Sequence, residues 1–214
     1  MNIPKALLLD FGAVVSVSLF ERHRQNEIAL GLPVGALSWL GPINPRTDAL
    51  WQAMQRDEMT EREYWAERAK MLGFGDMHSL LHTLTPKDPN QVVRPEIMSL
   101  LKTAKAAGIK LGVLSNELEL FYGPAFCAGL EVLTLMDTIV DATHTGILKP
   151  DPRAYQLALD GLGLAAEDVL FVDDQFRNIA GAVKCGLQTQ YFDLRDVGGH
   201  LAALAARLRL PLNC

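Results

Sequence analysis

No stretch of this sequence approaches the roughly 20 consecutive apolar residues that a membrane-spanning helix needs. Its first apolar run, Ala6–Leu9, is too short for the hydrophobic region of a signal peptide and leads directly into Asp10. Cysteine is scarce: Cys127, Cys185 and Cys214 are odd in number, widely spaced and never in a CxxC pair. That argues against a disulfide framework or a zinc site and fits a reducing cytoplasm. Positive charge is not in excess either, since the formal net charge is -5. A nucleic-acid or anionic-membrane surface is therefore not the expected partner. The histidines His23, His78, His82, His144 and His200 form no ligand set by spacing, and the pair four apart, His78 and His82, reads as packed or solvated. Internal repeats and low-complexity tracts are missing too. What remains is a soluble globular chain with a small-molecule partner, a monomer or homodimer.

Against these absences stand three short apolar runs that stop abruptly at polar groups. Ala6–Leu9 ends at Asp10, Leu111–Leu114 at Ser115, and Val169–Val172 at Asp173-Asp174. Continuous apolar runs of this length read as doubly buried strands of a parallel sheet. In open α/β sheets the ligand crevice lies beyond the carboxyl ends of the strands. One sheet edge would then carry a carboxylate, a hydroxyl and a carboxylate pair. Residues 16–92 break the α/β rhythm with helical patterns, including the capping box Thr60-Glu61-Arg62-Glu63, and read as an inserted helical cap. From 93 onward strands alternate with helices: Pro95 to about Ala107, Glu117 to about Leu130, Asp151 to about Leu162, Phe176 to Cys185, and Val197 to Leu208. Thr138–Val140 and Thr189–Phe192 complete the strands, with Thr143–Gly146 as a turn. The expected fold is α/β, a Rossmann-like parallel sheet with helices on both faces. Its core would be residues 1–15 and 93–214, its cap 16–92. Trp39, Trp51 and Trp65 are expected in the cap's own core.

An aspartate at a strand end can be a nucleophile, a metal ligand or the cap of the next turn. Asp10 with Asp173 and Asp174 crowds negative charge at one edge, which is costly without a cation. Oxygen ligands in small number suit Mg²⁺. Lys149, in the loop entering the Asp151 helix, offers a positive group. Ser115-Asn116 offers a hydroxyl and backbone N–H groups at a helix entry, suited to phosphate or to capping.

Taken together, Asp10 after its apolar run, Leu114-Ser115-Asn116, Lys149-Pro150-Asp151 and Phe171-Val172-Asp173-Asp174 resemble the haloacid dehalogenase-like (HAD) hydrolases. The Asp-Phe-Gly-Ala-Val stretch is most similar to the glucose-1-phosphate phosphatase and epoxide-hydrolase N-terminal phosphatase branch. The resemblance implies that Asp10 is the nucleophile forming an aspartyl-phosphate, with Ser115 and Lys149 as further catalytic groups. Ser115, Asn116 and Lys149 would bind substrate. Asp10, the Gly12 carbonyl and Asp174 would bind Mg²⁺, with Asp173 and Asn178 supporting. Most phosphatases of the family carry a second aspartate, a general acid and base, two residues after the nucleophile; here that position is Gly12. The function expected is Mg²⁺-dependent hydrolysis of a small phosphomonoester, a sugar phosphate among the candidates. A silent phosphometabolite-binding protein and a 2-haloacid dehalogenase are the alternatives.

Overall fold

The computed structural model describes residues 2–211; Cys214 lies outside them. The chain divides into two compact units, one formed by the segment up to Val17 together with the segment from Asp88 onward, the other by Ser18–Lys87.

The first unit is built on five parallel strands: β1 (Ala6–Leu9), β2 (Lys110–Ser115), β3 (Thr138–Asp141), β4 (Val169–Asp173) and β5 (Gln188–Tyr191). Their spatial order is β3-β2-β1-β4-β5. The first strand in sequence is thus the central one, paired with β2 through Leu9↔Val113 and with β4 through Leu9↔Val172. Alternate residues point to opposite faces of a strand, and here both faces are covered. Leu7, Leu9, Leu111, Val113, Leu170 and Val172 enter one apolar cluster. Ala6, Leu8, Leu114, Val169 and Phe171 enter another. This double burial is why the strands read as uninterrupted apolar runs. Gly112 sits where a Cβ would lie 2.9 Å from both Leu8 and Thr138, so close strand packing excludes a side chain there.

Two sequence expectations need correction. The Glu117–Leu130 helix is two pieces, Leu118–Tyr122 and Pro124–Ala128. Gly123 between them has φ +80°, and Pro124 restricts the residue before it. The Thr143–Gly146 turn is instead the end of a short helix, Ala142–Thr145, capped by Asp141. Elsewhere Pro95–Ala106, Pro152–Leu162, Phe176–Lys184 and Val197–Arg207 lie within a residue of expectation.

The second unit is helical: His23–Ala29, Ala49–Gln55, Glu61–Met71 and Met77–Leu84. Phe20 precedes the first of these helices, with its ring 5.2 Å from that of Trp51 and 5.6 Å from that of Trp65. Trp39, Trp51 and Trp65 are all buried. A buried ion pair joins Asp48 to Arg68, and Asp48 also accepts from Tyr64 Oη at 2.8 Å and from the N–H of Trp51 at 2.9 Å. At the start of Glu61–Met71, Thr60 Oγ1 accepts from the Glu63 N–H at 3.2 Å while Glu63 accepts from the Thr60 N–H at 2.6 Å. Thr60→Ala should cost about 1 kcal/mol, read as a lower urea midpoint with an unchanged slope. No change in the midpoint would mean the reciprocal cap contributes nothing.

Candidate active site

Every site residue expected from the sequence belongs to the first unit, and most come together at the carboxyl end of the sheet. Asp10 directly follows β1 and Asp173 ends β4, neighbours where the strand order reverses, with Ser115 at the end of adjacent β2. Lys149 arrives from the loop before Pro152–Leu162, across a cis Lys149–Pro150 peptide. It is almost wholly buried, and its Nζ lies 2.9 Å from Asp10 Oδ1 and 2.7 Å from Asp173 Oδ2. Burial alone would lower the pKa of this ammonium. The facing carboxylates of Asp10 and Asp173 outweigh that and push it up to about 12. A permanently charged lysine therefore bridges two strand ends.

Asn116 positions it. Its Nδ2 donates to the Lys149 carbonyl at 3.2 Å and its Oδ1 accepts from the Lys149 N–H at 2.7 Å. With its side chain so engaged, Asn116 fixes the Lys149 backbone. Ser115 is buried, and its Oγ accepts a long bond, 3.4 Å, from the Glu117 N–H.

The two adjacent aspartates differ. Asp173 is saturated: Oδ1 accepts from the Gln175 N–H at 2.8 Å, Oδ2 from Lys149, and Asn178 Nδ2 reaches both oxygens at 3.0 and 3.1 Å. Asp174 lies beside it at the crevice, buried. Asp10, Asp173 and Asp174 each place an oxygen within 4.8 Å of the others. Among the described residues this is where three such ligand groups converge. Carboxylates held this close repel one another, which a bound cation would relieve. The buried Asn178 Oδ1 has no hydrogen-bond partner beside this cluster. The donor set is all oxygen and suits a hard divalent cation.

After Asp10 the chain makes a single wide turn, Phe11–Val15, closed by the Ser16 N–H on the Phe11 carbonyl at 2.9 Å. Gly12 within it has φ -61° and ψ 134°, ordinary for any residue, and open space around the position of a Cβ. Its lack of a side chain is thus not enforced by the backbone. Reading the sequence alone missed three supporting residues. Gln175 contributes its N–H to Asp173, Tyr155 Oη donates to the Asn178 carbonyl at 2.7 Å, and Arg94 contacts the wide turn. Each acts through a contact distant in sequence or through backbone, which no local pattern announces.

The family model for haloacid dehalogenase-like hydrolases matches residues 22–186. The chain belongs to this family. Among its relatives is a phosphoglycolate phosphatase of Rhodospirillum rubrum, 38% identical over 119 residues, 53% of this chain and 48% of that protein. Another is (S)-2-haloacid dehalogenase 4A of Burkholderia cepacia, 34% identical over 95 residues, 44% of this chain and 41% of that one. The chain spans less than half the length of these curated relatives. A solved dehalogenase structure superposes with TM-score 0.63 over 96% of this chain and 97% of that one, at 18% identity, a likeness of fold. This HAD-like hydrolase thus has both phosphatases and dehalogenases among its kin, and its own site must decide between them.

Proposed function

We propose that the chain is a Mg²⁺-dependent phosphatase of the cytoplasm, hydrolysing a small phosphomonoester, such as a sugar phosphate, through an aspartyl-phosphate on Asp10. The observation that carries this reading is the third carboxylate. Asp174 adds negative charge to a site where Lys149 already faces Asp10 and Asp173. Displacing halide from a small acid has no use for a third carboxylate there, whereas a cation that binds a phosphoryl group would be held by it.

In this reading Asp10 and Asp174, with the Gly12 carbonyl, hold the ion, and Asp173 supports them because its oxygens already have donors. When bound, Mg²⁺ supplies positive charge opposite the phosphoryl oxygens. One Asp10 oxygen is held by Lys149 and by the Phe11 N–H at 2.7 Å, which orients the carboxylate for in-line attack on phosphorus. The phosphoryl oxygens take hydrogen bonds from Ser115 and the ammonium of Lys149. The P–O bond to the leaving group breaks as the Asp10–phosphorus bond forms, and water then hydrolyses the acyl-phosphate.

Gly12 leaves the departing oxygen without an acid two residues from the nucleophile. Rates should therefore fall steeply with leaving-group pKa, and aryl or anomeric sugar phosphates should outpace primary alkyl phosphates of similar size. Because the turn has room and ordinary dihedrals at this position, Gly12→Asp should fold and flatten the dependence. The gain for poor leaving groups should be about tenfold or more, within the usual range of general acid catalysis. The measurement is log kcat/KM against leaving-group pKa for both proteins, with Mg²⁺ and with excess chelator. A flat wild-type line means another acid is in place. Full activity in chelator sinks the metal-dependent mechanism, and turnover of a 2-haloacid with none of any phosphate ester makes the chain a dehalogenase.

A further inference from the structure

The wide turn after Asp10 contains an alanine in a conformation that residues with a Cβ rarely adopt: Ala13 has φ +63° and ψ -25°. Such a residue persists only when its surroundings over-determine it. Here the surroundings include a guanidinium. Arg94 reaches across 81 residues of sequence and donates to the Ala13 carbonyl from Nη2 at 2.7 Å and from Nε at 3.2 Å. It is 4% exposed, and its guanidinium lies 5.7 Å from the ring centroid of Phe192. The backbone around it is pinned as well. The Arg94 N–H donates to the Val15 carbonyl at 3.0 Å, Val17 donates to the Val92 carbonyl at 2.8 Å, and Ser16 bridges to Val93. Two chain segments thus run paired beside the turn, and the arginine of one grips it.

Burying a guanidinium is costly, and a planar fork returns most of that cost where it fixes geometry. The φ and ψ of Ala13 are the two rotations relating the Gly12–Ala13 peptide to the Ala13–Val14 peptide. Holding the carbonyl of the second therefore sets the orientation of the first, which carries the Gly12 carbonyl. We propose that Arg94 is a positioning residue for the nucleophile turn, holding Phe11–Val15 in the one conformation that keeps the Gly12 carbonyl in register with the Asp10 carboxylate. Its catalytic consequence rests on the phosphatase reading; its structural content does not.

Amide hydrogen exchange tests the structural part without activity. Arg94→Met keeps the buried stem and removes both donors. Exchange at Val14, Val15 and Ser16 should rise about tenfold or more, as expected when a charge-assisted bond holding a local opening is lost. The β1 amides of Leu7, Leu8 and Leu9 should stay protected. Arg94→Lys, a milder change should the first variant not fold, keeps one donor and should fall between. In Mg²⁺ with an aryl phosphate, kcat should drop about 10- to 100-fold, the scale of a small misplacement, with KM little changed. Adding Ala13→Gly to Arg94→Met should recover most of the kcat, because glycine holds a positive φ without a Cβ penalty. Unchanged exchange in the turn, or a rise shared equally by β1, overturns the proposal and makes Arg94 a core-packing residue. Failure of the double variant to regain kcat overturns the positioning role in catalysis. A wild type inactive on every ester removes the phosphatase reading, and the exchange result then decides the proposal alone.

Discussion

Asp10→Asn should lower phosphatase turnover by at least about 10⁴-fold, the scale on which loss of a covalent nucleophile is felt, while leaving the fold intact. The amide keeps the shape and an oxygen that can accept from Lys149 and the Phe11 N–H, so these contacts of the wild-type side chain have a counterpart. It cannot form the acyl-phosphate. Removing one of three carboxylates that lie within 4.8 Å of one another also relieves repulsion, so the melting temperature should hold or rise. Single-turnover assays with a radiolabelled ester, alongside thermal unfolding, read both effects. Near-normal turnover in Asp10→Asn would rule out the covalent route.

Lys149→Met should be costly in both respects. The lysine is buried and pairs with both Asp10 and Asp173. Without it, two buried carboxylates lose the ammonium they pair with, a loss typically of about 3–5 kcal/mol, or about 10 °C in melting temperature for a chain of this size. The pH dependence has a definite sign. In the wild type the folded-state pKa of Lys149, about 12, is above the ordinary 10.5. Its stabilisation is therefore complete below about 10.5 and is lost as the pH rises through about 12. Between pH 5 and 9 it contributes a constant amount. The deficit of the variant should thus shrink only as the pH rises towards about 12. Added Mg²⁺ should restore part of the stability at pH 8. Equal melting temperatures for the two proteins at pH 7 would show that the bridge is not holding the strand ends.

The strands and their terminal groups were legible because a doubly buried strand must be apolar throughout. The first polar residue after such a run therefore marks where the sheet meets the crevice. Asp10, Ser115 and Asp173 were found on that ground, and Lys149 because a lysine beside occupied strand ends has an electrostatic reason to turn inward. The unequal duties of Asp173 and Asp174 were not legible in detail. They depend on which oxygens Asn178, Gln175 and Lys149 already occupy, a matter of three-dimensional donors rather than spacing. The contact of the Asn116 side chain with the Lys149 backbone was not legible either, since the two lie 33 residues apart. The helix Ala49–Gln55 went unseen because seven residues give too little periodicity to register. Arg94 and Tyr155 gave no local signal, since their partners lie 81 and 23 residues away.

The placement of β1 at the centre of the sheet has a consequence for how the protein comes into being. This strand precedes both of its neighbours in the chain and gains the second only when β4 emerges, because it pairs through Ala6↔Lys110 and Ala6↔Val169. During synthesis its backbone amides and its leucines wait for most of the chain to emerge, while the intervening Ser18–Lys87 unit needs only its own residues for its internal contacts. Long-range pairing of this kind is slow and leaves an apolar edge exposed to other nascent chains. On the ribosome, Asp10 therefore exists as an ordinary, solvated aspartate until β4 and the Lys149 loop arrive together. The surroundings of Asp10 are thus assembled only when segments far apart in sequence have met.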